Sequence, residues 1–303
     1  CAMPNASPSA PAWAETLKYL NWLGNPFQGL GVTGVYDLLS DRAATRDALY
    51  LNLGYWRGGE TLDEASQALA ALVAETAGMG PEDRVLDVGF GFADQDIFWM
   101  QAYRPRAIVG LNVTASQVER ARRRVAELDL ADRIDLRVGS ATQMPLEADS
   151  VDKVVALESA FHFDTRERFF EEAYRVLRPG GRLVAADIIP MPRAQSLGER
   201  LAQRWSWRQA SGKFVIPAAN AYTQSKYAAK LAGAGFADAQ VTSIREQVYP
   251  PLHEYLGRHP EAVARLHPLI RLSVRVALKF DPSTVFAGLD YVLASGRKPL
   301  VSA

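Results

Sequence analysis

The chain has 303 residues, enough for one large domain or a domain with a sizeable appendage. It is 48% hydrophobic and 22% charged, with Lys+Arg and Asp+Glu both at 34, so its charge gives no electrostatic case for a nucleic-acid partner. A single cysteine, Cys1, excludes an internal disulfide and a cysteine-based metal site, and no apolar run approaches the roughly 18–20 residues that span a bilayer.

Residues 1–12 hold too few large apolar groups to pack and are expected to be disordered. No basic region followed by an apolar stretch marks a signal peptide, so a cytoplasmic enzyme is the default expectation. Residues 13–39 turn aromatic and apolar, with Trp13, Tyr19, Trp22, Phe27 and Tyr36 broken by Gly24, Pro26 and several glycines. Two or three short helices fit this stretch. They would form either a cover on a core or a lid over a hydrophobic substrate, and the pattern is the same for both. Leu51-Asn-Leu-Gly-Tyr-Trp56 is loop-like, and Thr61-Leu-Asp-Glu64 is a capping box that opens a helix to about residue 77.

Residues 84–88 read as a short buried strand, broken by Gly89 and Gly91, with helix-compatible spacing resuming at Asp94. Strand, glycine turn and helix N-terminus in that order let backbone lie against a polar ligand. Asp87, at the strand end, favours a cationic or hydroxylated ligand over a pyrophosphate. The third glycine of a dinucleotide fingerprint is replaced by Asp94, and a carboxylate at a helix N-terminus repels a pyrophosphate. Both points disfavour a nicotinamide cofactor.

Residues 107–111 are a second strand, and Thr114-Ala-Ser-Gln117 reads as another capping box, ahead of a basic helix through residue 128. Strands follow over 134–138 and 153–157. Asp164-Thr-Arg-Glu167 is expected to cap a helix to 177, stopped by Pro179-Gly-Gly181, before a fifth strand over 182–187. This alternation predicts an α/β fold with a doubly wound, mostly parallel sheet. Beyond Pro190 the reading is helices over 194–210 and 223–234, a strand over 238–244, a long helical stretch over 252–276 and a last strand over 291–295. Arg258, Arg265, Arg271 and Arg275 read as a solvated helix face. The chain divides into a disordered end (1–12), a helical lid (13–60), a cofactor-binding core (61–190), and cap helices with the last strands of the sheet (191–303).

Five motifs then fall in order: Val85-Leu-Asp-Val-Gly-Phe-Gly91, Gly110-Leu-Asn-Val-Thr-Ala-Ser-Gln117, Gly139-Ser-Ala-Thr-Gln-Met-Pro145, Leu157-Glu-Ser-Ala-Phe-His-Phe163 and Arg175-Val-Leu-Arg-Pro-Gly-Gly181. Through them about a third of the chain resembles the class I S-adenosylmethionine-dependent methyltransferases, in the small-molecule branch acting on quinols, tocopherols and natural-product sugars or polyketides. The segment 51–56 and Gly296-Arg-Lys-Pro299 extend the resemblance weakly.

The resemblance implies a Rossmann-like sheet that binds S-adenosyl-L-methionine. Gly89 and Gly91 would let backbone approach the cofactor, with Asp87 beside its methionine part. Asn112 stands where the family usually places an acidic residue on the ribose, and Ser140 where an Asp usually meets the adenine amino group. Both still hydrogen-bond, without charge assistance. Gln95, Val113, Gln117 and Ala141 complete the expected cradle, and Glu158 orders its loop or meets the cofactor's amino group. Asn52, Tyr55 and Trp56 would fold over the cofactor, an aromatic face near the sulfonium being worth roughly 0.5–2 kcal/mol. The plainer readings are turn residues for Asn112 and Ser140 and core packing for the two aromatics.

His162 is the expected general base for a hydroxyl acceptor. It would be oriented by Asp187, as in the natural-product sugar O-methyltransferases that this segment is similar to. The expected activity is O-methylation of a small hydrophobic metabolite of secondary metabolism, by a monomer or homodimer. Trp205, Trp207, Phe214 and Tyr222 would help form the acceptor pocket. One alternative is C-methylation of an isoprenoid or prenyl diphosphate, with Arg200, Arg204, Arg208 and Lys213 meeting the anion. Another is a catalytically inactive cofactor-binding protein. A cyclopropane-forming lipid enzyme is disfavoured, because that family's site uses a cysteine. His253, His259 and His267 lack metal-ligand spacing, so no metal is expected.

Overall fold

Residues 12–25, 29–39 and 44–300 are described in a computed structural model of the chain, so residues 1–11 of the end expected to be disordered, Cys1 among them, and Phe27 lie outside the described residues, while residue 12 begins a helix. Two helices come first, α1 (Ala12–Gly24) and α2 (Val32–Leu39), followed by α3 (Leu62–Ala77). The core alternates as β1 (Arg84–Val88), α4 (Asp94–Ala102), β2 (Ala107–Asn112), α5 (Ala115–Glu127), β3 (Ile134–Val138), β4 (Val151–Leu157), α6 (Arg166–Val176) and β5 (Leu177–Pro190). Then come α7 (Leu197–Lys213), α8 (Gln224–Gly233), β6 (Ala237–Ser243), α9 (Tyr249–Arg258), α10 (Pro260–Arg265), α11 (Pro268–Ala277) and β7 (Leu289–Arg297).

The strands form one sheet in the order β3-β2-β1-β4-β5-β7-β6. Pairs among β1 to β5 are parallel, and β7 runs antiparallel between β5 and β6. The central strands are covered on both faces, which is why β1 and the 154–157 part of β4 are buried on successive residues rather than alternately. One core packs α3, α4 and α5 residues such as Leu69, Trp99 and Val118 on the sheet; the other packs Phe169, Phe170 and Tyr227 from α6 and α8 on the opposite face. A third, smaller cluster joins α1 and α2 through Tyr19, Trp22, Val35 and Leu38 to Val215, Leu269 and Ile270.

Local signals held at α3 and shifted elsewhere. At α3 both halves of the Thr61–Glu64 capping box are present. At α5 the Thr114 side chain makes no cap hydrogen bond. At α6 the cap is Thr165, whose hydroxyl accepts from the Arg168 N–H, rather than Asp164. The helical stretch expected over 252–276 divides into α9, α10 and α11. Pro260 and Pro268 each start a new helix, because a proline lacks the N–H that would continue the one before.

Candidate active site

The chain runs outward from β1 through β2 to β3 and returns to β4 on the other side of β1, so the strand order reverses between β1 and β4. Open α/β sheets bind ligands at the carboxyl edge of such a reversal. A cavity of about 320 Å³ lies there. It is lined by the 89–92 turn after β1, the end of β2, the 157–159 segment after β4 and the 139–142 turn after β3. Leu49, Leu51 and Asn52, with Val32 and Tyr36 of α2, complete the lining.

Gly89 has φ +86°, and a Cβ there would lie 2.3 Å from the Ser159 Cβ, so only glycine lets the two loops meet. The Ser159 hydroxyl donates to the Val88 carbonyl at 2.6 Å and ties them together. Gln95 lines the cavity while its Nε2 donates to Asp87 at 3.0 Å. Asp87 is fully buried and is not itself part of the lining. Burial pushes its carboxyl up to about 7, against the hydrogen bond from Gln95. Asp96, also buried, is raised by burial and by the charge of Asp87, so the two carboxyls hold a proton that a solvated pair would release.

At the β2 end, the Asn112 Oδ1 accepts from Thr114 N–H at 3.0 Å, and its Nδ2 donates to the Gln117 Oε1 at 2.9 Å. Gln117 is thereby turned back onto β2, which removes it from the capping box expected at Thr114. Ser140 makes a local turn, with Oγ accepting from the Thr142 N–H at 3.2 Å. Thr142, Leu49 and Phe92 line the cavity without having been singled out, since nothing in their local sequence distinguishes them from loop residues. Glu158 has φ +52°, and its Oε1 accepts from the Leu53 N–H at 2.6 Å and from the Tyr291 hydroxyl at 2.7 Å. Burial nonetheless pushes this carboxyl up to about 7.

Every residue expected to cradle the cofactor lines this cavity except Asp87, Tyr55 and Trp56. Trp56 packs with Leu62, Ala65 and Leu252, 5.0 Å from the Tyr255 ring, and with Tyr55 faces a separate surface groove. Neither ring therefore faces the cavity. Asp94 also turns elsewhere, pairing with Arg124 of α5 at 2.7 and 2.8 Å. It is therefore not the group that would meet a phosphate.

His162 follows β4 in a single 3₁₀ turn and lines the cavity. Its Nε2 lies 2.7 Å from the Tyr36 hydroxyl, with the two rings edge-on at 5.2 Å. Burial drives its pKa down to about 3; the Phe214 carbonyl opposes this and the Arg166 charge adds to it. The imidazole is accordingly neutral at pH 7.

Asp187 does not orient it. That carboxylate accepts from Arg166 Nε at 2.7 Å, from the Tyr227 hydroxyl at 3.0 Å and from the Ile188 N–H at 2.8 Å, and both ion-pair side chains are wholly buried. A buried guanidinium needs a charge partner, and it takes the carboxylate expected to serve the histidine. What fixes the histidine segment is Asn220, whose Nδ2 donates to the carbonyls of Phe161 and Phe163 at 3.0 and 2.7 Å. Among the described residues no Lys or Arg lines the cavity, and none of Trp205, Trp207, Phe214, Tyr222, Arg200, Arg204, Arg208 or Lys213 does so.

A sheet in this order, with a glycine turn, paired amides and a neutral histidine around a cavity at its switch point, defines a class: α/β enzymes holding a nucleoside-bearing cofactor at the carboxyl edge of the sheet. Residues 86–185 match the family described as "Methyltransferase domain". The chain is 38% identical over 271 residues to the erythromycin 3''-O-methyltransferase of Saccharopolyspora erythraea, covering 87% of this chain and 89% of that one. It is 30% identical over 275 residues to the 27-O-demethylrifamycin SV methyltransferase of Amycolatopsis mediterranei, covering 87% and 95%. In fold it is similar to the geranyl diphosphate C-methyltransferase of Streptomyces coelicolor A3(2), with TM-score 0.65 at 18% identity over 97% of this chain and 100% of that one.

The chain belongs to the S-adenosylmethionine-dependent methyltransferases, and S-adenosylmethionine is its cofactor. The site fits that group. Its lining alternates hydrogen-bonding side chains (Gln95, Asn112, Gln117, Ser140 and Glu158) with apolar ones (Leu49, Leu51 and Phe92), which suits a ligand that is part nucleoside and part amino acid.

Proposed function

We propose that the chain O-methylates a hydroxyl of a small polyketide-type natural product or of its sugar, with His162 as the base. One observation carries this reading: a neutral imidazole lines the cofactor cavity with its Nε2 already 2.7 Å from a hydroxyl oxygen. The two relatives support it, one named for erythromycin at its 3''-O position and the other for 27-O-demethylrifamycin SV.

Bound S-adenosylmethionine supplies a methyl group activated by its sulfonium. The 89–92 turn, Asn112 with Gln117, and Ser140 would hold the nucleoside end, while Gln95, backed by Asp87, and Glu158 would meet the polar methionine end. Positioning of donor and acceptor carries most of the rate enhancement. Nε2 of His162 takes the proton of the acceptor hydroxyl and becomes an imidazolium, so that the acceptor oxygen is freed to receive the methyl group that the bound cofactor would supply. A general base contributes about 10²–10⁴-fold, most when its pKa lies near the operating pH, and the burial that keeps His162 neutral also weakens it as a base. In this reading α1 and α2 act as the lid, and residues 191–303 supply the cap and the last strands. The enzyme works in the cytoplasm, where its methyl donor is made, as a monomer or homodimer.

The prenyl diphosphate alternative is not favoured. A diphosphate needs cationic partners, and no Lys or Arg among the described residues lines the cavity. The test is incubation with methyl-labelled S-adenosylmethionine and either 3''-O-demethyl erythromycin or 27-O-demethylrifamycin SV, followed by mass spectrometry and NMR. Label in an O-methyl group is the expected result. Label found only on carbon or nitrogen, across these and a wider acceptor panel, would refute the reading.

A further inference from the structure

We infer that Tyr36 is a placeholder for the acceptor: its hydroxyl occupies Nε2 of His162 until the acceptor's hydroxyl displaces it. The inference rests on His162 being the base. A hydroxyl oxygen 2.7 Å from Nε2, with the phenol ring edge-on to the imidazole at 83°, is the arrangement that the acceptor itself must reach.

Space points the same way. About 320 Å³ lies at the low end of what one small-molecule ligand fills, so a second ligand beside the cofactor needs the room that α2 now takes. Tyr36 and Val32, one turn apart on α2, both line the cavity, so displacing that face opens room next to His162. The α1–α2 pair packs in its own cluster, outside both cores of the sheet. It is tied to the core at this end by the Tyr36–His162 bond and by the Ser116 hydroxyl donating to Asp37 at 2.7 Å. Displacing α2 leaves both cores of the sheet intact. The contacts it strains are those of its own cluster, with Val215, Leu269 and Ile270, the Tyr19–His267 stack at 3.7 Å and the Trp22 indole N–H donated to the Lys213 carbonyl at 2.8 Å.

The exchange conserves the hydrogen bond at Nε2 only for a ligand that brings a polar hydrogen of its own, as a hydroxyl does. An apolar group in that position would leave the buried nitrogen unpaired, at a cost that disfavours it. Tyr36 thus acts as a specificity-determining residue that favours acceptors presenting a hydrogen-bond donor over apolar groups. Burial and the charge of Glu158 raise the phenol's pKa, so it stays a protonated hydroxyl rather than a phenolate.

The test uses the full chain with Tyr36→Phe, checked for folding by calorimetric binding of S-adenosylhomocysteine. With 3''-O-demethyl erythromycin as probe, losing the competing hydrogen bond should lower the acceptor KM by about 3- to 10-fold. With diethyl pyrocarbonate and S-adenosylhomocysteine bound, carbethoxylation of His162, read by peptide mass, should speed up by a similar factor. If that probe is not turned over, the modification rate decides alone. A raised KM or an unchanged modification rate in Tyr36→Phe, with His162→Ala inactive, overturns the placeholder and leaves the base reading standing. Full turnover in His162→Ala overturns both.

Discussion

Arg166 and Asp187 pair at 2.7 Å with no exposed side-chain surface, and the guanidinium also lies 5.0 and 5.3 Å from the Tyr222 and Tyr227 ring centres. Removing one partner of a buried pair strands the other charge, at about 3–5 kcal/mol. Asp187→Ala should therefore lower the free energy of unfolding by that amount in urea titrations. Loss of turnover with stability unchanged would restore Asp187 to a catalytic role. Asn220 is buried and holds three backbone groups: the Arg166 N–H and the carbonyls of Phe161 and Phe163. Asn220→Ala should loosen the histidine segment, cutting turnover more than affinity for S-adenosylhomocysteine. Equal losses in both measurements would mean that it supports the fold alone. At this scale the sequence exposed the chemistry of His162 but not its partners. Tyr36 stands 126 positions away, and Arg166 and Asn220 are unremarkable in their local sequence. Which carboxylate a histidine meets depends on what other buried charge competes for it.

The signature Ser/Thr-x-x-Glu/Gln, or its Asp counterpart, occurs before α3, α5 and α6, and the three outcomes show what a local motif can decide. At α3 no competitor is near, and the Thr61 hydroxyl accepts from the Glu64 N–H at 3.3 Å while Glu64 accepts from the Thr61 N–H at 2.8 Å. Thr61→Ala should cost about 0.5–2 kcal/mol in thermal unfolding, and no shift in Tm would mean that tertiary packing alone sets the start of α3. At α5 the Gln117 amide is claimed by Asn112, so a site residue overrides the cap. At α6 the cap slips by one residue to Thr165. Strands were legible for a firmer reason, since strands buried on both faces are mostly apolar, Asp87 in β1 being a buried exception at the site. The segment after Pro190 was less so, because prolines mark where helices begin without saying how those helices pack.

Across the whole molecule, titration of the site leaves a signature in the cofactor-free enzyme. The His162 pKa falls from 6.5 to about 3, so its contribution to stability is present above 6.5 and is lost as pH drops towards 3. Glu158 and Asp87 rise to about 7 from 4.5 and 3.8, so their contributions are full below those ordinary values and are lost as pH rises through 7. Glu158→Gln should therefore gain stability relative to wild type between about pH 4.5 and 7. A difference that does not vary with pH in denaturation series would contradict this.

The sheet order, the cavity at its switch point and the cluster that seats α2 over it converge on one imidazole. The most direct test is the single-turnover rate of methyl transfer in wild type and His162→Ala, with cofactor affinity measured in parallel by calorimetry. A fall of about 10²–10⁴-fold in rate with near-equal cofactor affinity is the result expected of a general base. A His162→Ala rate close to wild type would contradict the assignment.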